Sequence, residues 1–217
     1  MPPLKFDENG LIAAIAQDHL TGEVRMVAWM NQEALARTLE TGKATFFSRS
    51  RGVLWEKGET SGNQLRVRSL SVDCDADTLL LGVEPTGPSC HTGARNCFIE
   101  RLDRPDGKES LPMVPFLQQL ERVIAKRQSS TSEKSYTKSL LDGGPAKIGR
   151  KINEEAGELV QALGEESAER VASETADLLF HVMVGLKQRG VAWRSVIEVL
   201  EGRFGTSGHD EKAARRR

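Results

Sequence analysis

All three cysteines of the chain lie between positions 74 and 97, and three aspartates surround the first of them. These residues are Asp73, Cys74, Asp75, Asp77, Cys90 and Cys97. Thiolates are soft ligands that suit zinc, whereas clustered carboxylates suit the hard cation Mg²⁺. Because an odd number of cysteines argues against a disulfide framework, the segment predicts metal binding.

The spacing of the aspartates gives a second expectation if residues 73–77 are extended. Successive side chains of a strand point to opposite faces, so the three aspartates would share one face and Cys74 would point to the other. One short strand would then contribute to two metal sites, or to a site completed by another chain. Two plainer interpretations stay open. Free cysteines often pack as small buried hydrophobes, and an Asp-rich run is commonly a turn or a solvated edge.

A second acidic pattern lies in the C-terminal half. Its members are Glu154, Glu155, Glu158, Glu174 and Asp177. Residues three or four positions apart share a face of a helix, so two antiparallel helices can bring these carboxylates together. Like charges this close repel one another, and the arrangement therefore needs cations such as Mg²⁺. A solvated acidic face is the usual explanation of such a pattern, but Glu174 stands in a largely apolar helix where an unpaired carboxylate is costly.

The elements that must position the first group are mainly strands. Short apolar runs predict strands at 11–17, 24–30, 44–47 and 65–84, the last as two strands or one bent ribbon. The first two are expected to pair across a turn at Thr21-Gly22. Asn31 is expected to cap a helix over 32–40 that stops at Thr41-Gly42.

The second group needs helices, and the periodicity changes accordingly after a polar, proline-bracketed segment at 104–112. We expect the domain boundary there, with domains at 1–112 and 113–217. Helices are predicted at 114–126, from Ser135-Tyr136-Thr137 to 143–145, and at 146–163, 167–189 and 191–204, followed by a frayed tail. A strand-rich domain followed by an all-α helical bundle places the chain in the α+β class.

Composition excludes several classes of partner. The formal net charge of −1 provides no general field that attracts nucleic acid or a membrane surface. No apolar run approaches the roughly 20 residues that a membrane span needs. The N-terminus lacks the basic start and apolar core of a signal peptide, so the cytoplasm is the expected compartment.

Residues 26–98 resemble phosphoribosyl-AMP cyclohydrolase in several separate motifs. These are Trp29-Met30-Asn31, residues 47–51 and 55–63, the Asp73–Asp77 run, and Cys90-His91-Thr92-Gly93 with Cys97-Phe98. The resemblance implies hydrolytic opening of an adenine ring whose N1 carries a second ribose phosphate. It also implies that the three aspartates bind Mg²⁺ and that a homodimer shares the zinc, with one cysteine coming from the partner subunit. Three cysteine ligands leave the fourth position of zinc free for a water whose pKa falls to roughly 7.

Residues 116–205 resemble phosphoribosyl-ATP pyrophosphatase at 135–137, 151–158 and 174–179. A wider group of all-α nucleotide pyrophosphohydrolases shares this acidic pattern, which alone leaves the substrate open. Together the two resemblances imply a bifunctional enzyme of histidine biosynthesis, which removes pyrophosphate from phosphoribosyl-ATP and then opens the ring of phosphoribosyl-AMP.

Further candidate residues lie beside these motifs. His91 is the candidate proton shuttle, and Glu155 and Glu158 are the candidate catalytic carboxylates of the second half. Candidate phosphate-binding residues are Ser48, Arg49, Ser50, Arg51, Lys57, Thr60 and Ser61 in the first half, and Lys147, Arg150 and Lys151 in the second. An exposed hairpin is the plainer interpretation of residues 48–51.

An alternative function stays open for each half. The N-terminal half is alternatively a zinc-stabilised interaction module, and the C-terminal half a general nucleotide pyrophosphohydrolase. A chelator separates the first alternative from catalysis, because a structural zinc domain unfolds when it loses its metal.

Overall fold

A computed structural model describes residues 3–100, 115–128 and 135–204. The chain divides into two compact units, Met1–Pro115 and Phe116–Arg217. The predicted boundary segment at 104–112 and the predicted tail after residue 204 lie outside the described residues. Six strands and one helix form the first unit and helices form the second, so the predicted α+β class is confirmed.

The first unit is built on a six-stranded sheet in the order β4-β3-β2-β1-β6-β5. Its strands are β1 (Ile12–Asp18), β2 (Val24–Met30), β3 (Thr45–Ser48), β4 (Val53–Glu56), β5 (Leu65–Val72) and β6 (Thr78–Pro85). Neighbouring strands are antiparallel except β1 and β6, which run parallel. The predicted pairing of the first two strands is confirmed. Strand β4 has no counterpart among the predicted strands, because its short run is embedded in a polar, glycine-rich segment.

Local sequence signals set the bounds of helix α1 (Gln32–Thr41). The Asn31 side chain accepts a hydrogen bond from the backbone N–H of Ala34 and so satisfies a free amide of the first turn. Gly42 ends the helix in the left-handed conformation, with φ of 68°, which glycine adopts without a steric penalty. The predicted capping is therefore confirmed at both ends.

The expectation of an extended segment at Asp73–Asp77 is wrong. These residues form a turn between β5 and β6, one of the two plainer interpretations of the run. Asp73 Oδ1 accepts hydrogen bonds from the backbone N–H groups of Asp77 and Thr78, each at 3.0 Å. A short acidic side chain that binds nearby amides competes with a strand ladder in this way. The argument from alternating strand faces consequently does not apply to Cys74.

The second unit consists of helices α2 (Phe116–Gln128), α3 (Tyr136–Asp142), α4 (Gly144–Glu165), α5 (Ala168–Gln188) and α6 (Trp193–Arg203). Each corresponds to a predicted helix, although Val114 lies outside the described residues. Ser135 and Ser167 cap α3 and α5 with their side chains. The link of two residues between α4 and α5 makes them an antiparallel hairpin. None of the helices described here is both long and apolar enough to cross a membrane.

Candidate active sites

A cavity of about 530 Å³ in the first unit brings two of the three cysteines together with basic and hydroxyl side chains. Its lining includes Cys90, Cys97, His91, Arg51, Lys57, Thr60 and Ser61, all singled out from the sequence. Cys90, Cys97 and His91 lie in a segment without helix or strand after β6. Arg51 lies in the turn before β4, and Lys57, Thr60 and Ser61 follow β4. The cavity therefore depends on irregular segments held at the sheet.

The two cysteines of the cavity differ in their tendency to ionise. The Thr92 hydroxyl lies 3.1 Å from Cys90 Sγ, and its hydrogen bond holds the pKa of that thiol below its ordinary value. Burial raises the pKa of the Cys97 thiol, and the nearby Cys90 raises it further. Cys90 is thus the first to become a thiolate, and a cation between the sulfurs would ionise both. This donor set fits a thiophilic metal such as zinc.

His91 is exposed beside these sulfurs. Its Nδ1 atom lies 3.9 Å from Cys90 Sγ. An imidazole at this position can accept or donate a proton at a reacting group held by the same cavity.

Cys74 does not reach this cavity within one chain. It is exposed in the turn that joins β5 and β6, and it is absent from the cavity lining. The turn instead brings the carboxylates of Asp73, Asp75 and Asp77 within 4.8 Å of one another. Desolvation raises the pKa of Asp73, but hydrogen bonds from the backbone N–H groups of Thr78 and Asp77, together with contacts to the Asp75 and Asp77 side chains, hold it below its ordinary value. The aspartates therefore remain a candidate cation site although the strand argument is wrong.

The candidate phosphate-binding residues of the first unit divide into two groups. Arg51, Lys57, Thr60 and Ser61 line the cavity, whereas Ser48, Arg49 and Ser50 do not. The Arg49 guanidinium lies 4.7 Å from the Trp29 ring centroid, a stacked arrangement. Burial lowers the pKa of Lys57, and its ammonium donates to the Asn63 carbonyl at 3.2 Å.

In the second unit the α4–α5 hairpin brings three carboxylates together. Ligand atoms of Glu155, Glu158 and Glu174 all lie within 4.8 Å of one another. Glu174 is only 2% exposed, and its Oε2 atom has no hydrogen-bond partner among the described residues. Burial raises the pKa of Glu174, and the neighbouring Glu158 raises it further. A buried carboxylate oxygen without a donor, beside two like charges, fits a divalent cation.

Two basic side chains partly neutralise this cluster. Lys151 Nζ lies 2.8 Å from Glu154 and 2.9 Å from Glu155, and these contacts raise its pKa. Arg170 Nη1 lies 2.7 Å from Glu174 Oε1. Arg170 has no place among the predicted site residues, although its position four residues before Glu174 on α5 is a signal for such a pair.

The remaining predicted residues of this unit lie outside the tight group. Glu154 and Asp177 are exposed, although Asp177 is close enough to raise the pKa of Glu174. Lys147 Nζ donates to the Ser139 carbonyl at 3.1 Å, and Arg150 is exposed on α4.

A buried histidine supports the same cluster. His181 Nδ1 lies 2.8 Å from the Asp177 carbonyl oxygen, which can only accept, so Nδ1 carries the proton. Its Nε2 atom lies 2.9 Å from the Tyr136 hydroxyl oxygen, within hydrogen-bond distance. Because Nδ1 is also 3.8 Å from Glu155 Oε1, the imidazole connects the start of α3 to the carboxylates.

Comparisons with known proteins agree with this division. Residues 26–99 match the family model of phosphoribosyl-AMP cyclohydrolase, and residues 117–204 match that of phosphoribosyl-ATP pyrophosphohydrolase. A curated relative from Parasynechococcus marenigrum, named histidine biosynthesis bifunctional protein HisIE, is 50% identical over 206 residues and 93% of each chain. The chain belongs to this bifunctional family. Relatives of the same name from Caldanaerobacter subterraneus (44% identical, 93% of this chain and 96% of the relative) and Photobacterium profundum (43%, 90% and 93%) are also similar over most of their length.

Membership of the bifunctional HisIE family confirms both resemblances found in the sequence, in the same order along the chain.

Two buried charged residues, Glu23 and Arg25, precede the matched residues 26–99. Sequence reasoning missed them because they stand at the start of an apolar strand. The available signal was a charged residue at 25 between apolar neighbours, which needs a buried partner if it faces inward.

Proposed function

We propose that the chain catalyses two consecutive hydrolytic steps of histidine biosynthesis. The C-terminal domain, 113–217, converts phosphoribosyl-ATP to phosphoribosyl-AMP and pyrophosphate, and the N-terminal domain, 1–112, opens the adenine ring of that product. The main support is that two family matches follow one another in the chain, each in a compact unit with its own ligand cluster.

In the first domain Cys90 and Cys97 would hold Zn²⁺, and Cys74 of the partner subunit in a homodimer would complete the sulfur set. When bound, zinc supplies a Lewis acid that lowers the pKa of a water. Ring opening adds the water oxygen to C6 and breaks the N1–C6 bond, so a proton must leave the water and another must reach N1. His91 is exposed beside Cys90 and is the side chain proposed to move these protons.

Basic and hydroxyl side chains of the same cavity would bind the two phosphates. Arg51 offers a planar guanidinium that matches a phosphate with two parallel hydrogen bonds. Lys57, Thr60 and Ser61 line the same cavity and supply further donors. Asp73, Asp75 and Asp77 would bind Mg²⁺ at the turn between β5 and β6.

In the second domain Glu155, Glu158 and Glu174 would hold Mg²⁺, with Glu154 and Asp177 as further candidate ligands. When bound, Mg²⁺ offsets the charge of a triphosphate. Glu155 and Glu158 are proposed to orient the attacking water and to accept its proton. Lys147, Arg150 and Lys151 lie on α4 with these carboxylates and would bind the phosphates of the substrate.

A pair of variants tests the assignment. Cys90→Ala should abolish ring opening and preserve pyrophosphate release, and Glu155→Gln should do the reverse. Ser71→Ala on β5 and Glu165→Gln on α4, both exposed, are the matched controls and should retain both activities. Each purified variant is assayed for both steps with separately supplied substrates. Loss of both activities from Cys90→Ala or from Glu155→Gln, in a folded protein, would rule out independent sites.

A further inference from the structure

A buried ion pair at the start of β2 stands out in the first unit. Glu23 is 0% exposed and Arg25 is 3% exposed, and their side chains lie 3.2 Å apart. Replacing such a pair by apolar residues is often neutral or stabilising, because burial removes both charges from water. The pair therefore needs an explanation other than fold stability.

Arg25 binds the chain immediately before Cys90. Its Nη2 atom donates to the Gly87 carbonyl at 3.0 Å, and its Nε atom donates to Ser89 Oγ at 3.1 Å. Because Nη1 is directed at Glu23, all three nitrogens of the planar guanidinium are engaged. The position of Ser89 beside Cys90 is thus fixed from a rigid strand.

Glu23 binds the chain immediately before Cys97. Its Oε1 atom accepts from Asn96 Nδ2 at 2.6 Å, and its Oε2 atom accepts from Arg95 Nε at 2.5 Å. The backbone N–H of Cys97 itself donates to the Arg25 carbonyl at 2.9 Å. The second cysteine is thus fixed by Glu23, which immediately precedes β2, and by the backbone of Arg25 on β2.

We propose that Glu23 and Arg25 are positioning residues of the ring-opening site, which set the separation and orientation of Cys90 and Cys97 for metal binding. The segment from Thr86 to Ile99 contains no helix or strand, so this network replaces secondary structure as its support. The inference rests on the proposed role of the two cysteines as metal ligands. Residues that orient metal ligands through hydrogen bonds commonly affect metal affinity about 10- to 100-fold.

The test measures Zn²⁺ affinity of the full chain by competition with a chromogenic chelator, with excess Mg²⁺ present to occupy the carboxylate sites. Arg25→Lys keeps the charge but lacks the fork that reaches Glu23, Ser89 and Gly87 together. We expect this variant and Glu23→Gln to bind Zn²⁺ about 10- to 100-fold more weakly than the unaltered chain. Ser89→Ala leaves the ion pair intact and removes only the hydrogen bond from Arg25 Nε to the segment from Thr86 to Ile99. This variant should weaken Zn²⁺ binding by a smaller factor.

Thr38→Val is the control for simple destabilisation. The Thr38 hydroxyl is buried in the same unit and donates to the Ala34 carbonyl at 2.8 Å. Its hydrogen-bond partners among the described residues, Ala34 and Thr45, lie outside the segment from Thr86 to Ile99. This variant should lower the unfolding temperature and leave Zn²⁺ affinity unchanged. The rate of pyrophosphate release, which belongs to the other unit, reports the amount of intact protein in every sample.

The outcomes separate the inference from the proposed function. Unchanged Zn²⁺ affinity in Arg25→Lys and Glu23→Gln, with a Cys90→Ala variant that loses Zn²⁺ binding, overturns the inference alone. If the two charge variants do not fold, Ser89→Ala decides, and an unchanged affinity there overturns it. Retention of full Zn²⁺ affinity by Cys90→Ala overturns the proposed cysteine site and the inference with it.

Discussion

The two candidate sites are supported in different ways. In the second unit, the ligands Glu155, Glu158 and Glu174 lie on two helices, so helical spacing and one short connection bring them together. In the first unit, Cys90 and Cys97 lie in an irregular segment held by a buried ion pair from β2. Regular structure places ligands through local sequence spacing, whereas an irregular segment needs contacts from distant parts of the chain.

The two sites also differ in how charge is balanced. Lys151 and Arg170 already contact the carboxylates of the second site, and one buried oxygen of Glu174 has no donor within the part of the chain that the structure describes. In the first site a neutral hydroxyl, that of Thr92, favours the thiolate form of Cys90. We therefore expect the helical site to select a hard cation and the cysteine site a soft one.

Metal removal gives the largest expected effect and tests whether the sites are chemically distinct. Treatment with a strong chelator should lower both activities by about 1000-fold or more, equivalent to about 4 kcal/mol of transition-state stabilisation. Adding Mg²⁺ alone should restore pyrophosphate release, and ring opening should also require Zn²⁺. Chelator saturated beforehand with both metals is the control. Full recovery of ring opening with Mg²⁺ alone would remove the proposed difference between the sites.

The same contrast explains what the sequence could predict. Interactions within a few residues predict the caps of α1 at Asn31 and Gly42. Helical period predicts the convergence of Glu155 with Glu174. The parallel pairing of β1 with β6 does not, because it joins strands separated by most of the first unit.

The errors and omissions have a common physical basis. The turn at Asp73–Asp77 depends on side-chain hydrogen bonds to nearby amides, which the alternation of carboxylates does not reveal. The link from Glu23 to Asn96 spans dozens of residues and leaves no local pattern. Residue types alone therefore predict that the irregular segment with Cys90 and Cys97 binds metal. The distant contacts that hold this segment in place have no local sequence signal.

A substitution at the rim of the first site gives an intermediate effect. Arg51→Ala should raise the KM for ring opening about 10-fold or more, because a charged hydrogen bond to a phosphate is worth about 1.5–3 kcal/mol. Arg49→Ala is the matched comparison, because Arg49 stacks on Trp29 and does not line the cavity. Steady-state kinetics of both variants decides which of these two predicted arginines binds substrate. An equal rise in KM for both variants would contradict the distinction between Arg51, which lines the cavity, and Arg49, which does not.

Removal of a counter-ion gives a smaller effect on the second site. Arg170→Ala leaves buried Glu174 without its closest cation and should lower the unfolding temperature of metal-free protein by a few degrees. Added Mg²⁺ should stabilise this variant more than the unaltered chain, because it replaces the lost charge. Arg194→Ala, which removes a similar pair with Glu198 on α6, is the control for a helix-surface contact. Equal stabilisation of both variants by Mg²⁺ would argue against a cation at Glu174.

The pH dependence of stability gives the smallest expected effect. The pKa of Glu174 is raised by burial, so the folded chain binds its proton more tightly than the unfolded chain, and ionisation above the ordinary carboxyl pKa destabilises the fold. Metal-free Glu174→Gln should therefore be more stable than the unaltered chain at neutral pH. The difference should shrink as the pH falls toward the ordinary carboxyl pKa. Thermal unfolding with chelator across this range checks the sign, with Glu165→Gln at an exposed position of α4 as the matched control.

The most direct measurement is anomalous X-ray scattering from crystals of the full chain grown with Zn²⁺ and with Mn²⁺ in place of Mg²⁺. We expect zinc about 2.3 Å from the sulfurs of Cys90 and Cys97, and manganese at Glu155, Glu158 and Glu174. Zinc bound away from both sulfurs, or the same metal at both clusters, would show that the two sites are not assigned correctly.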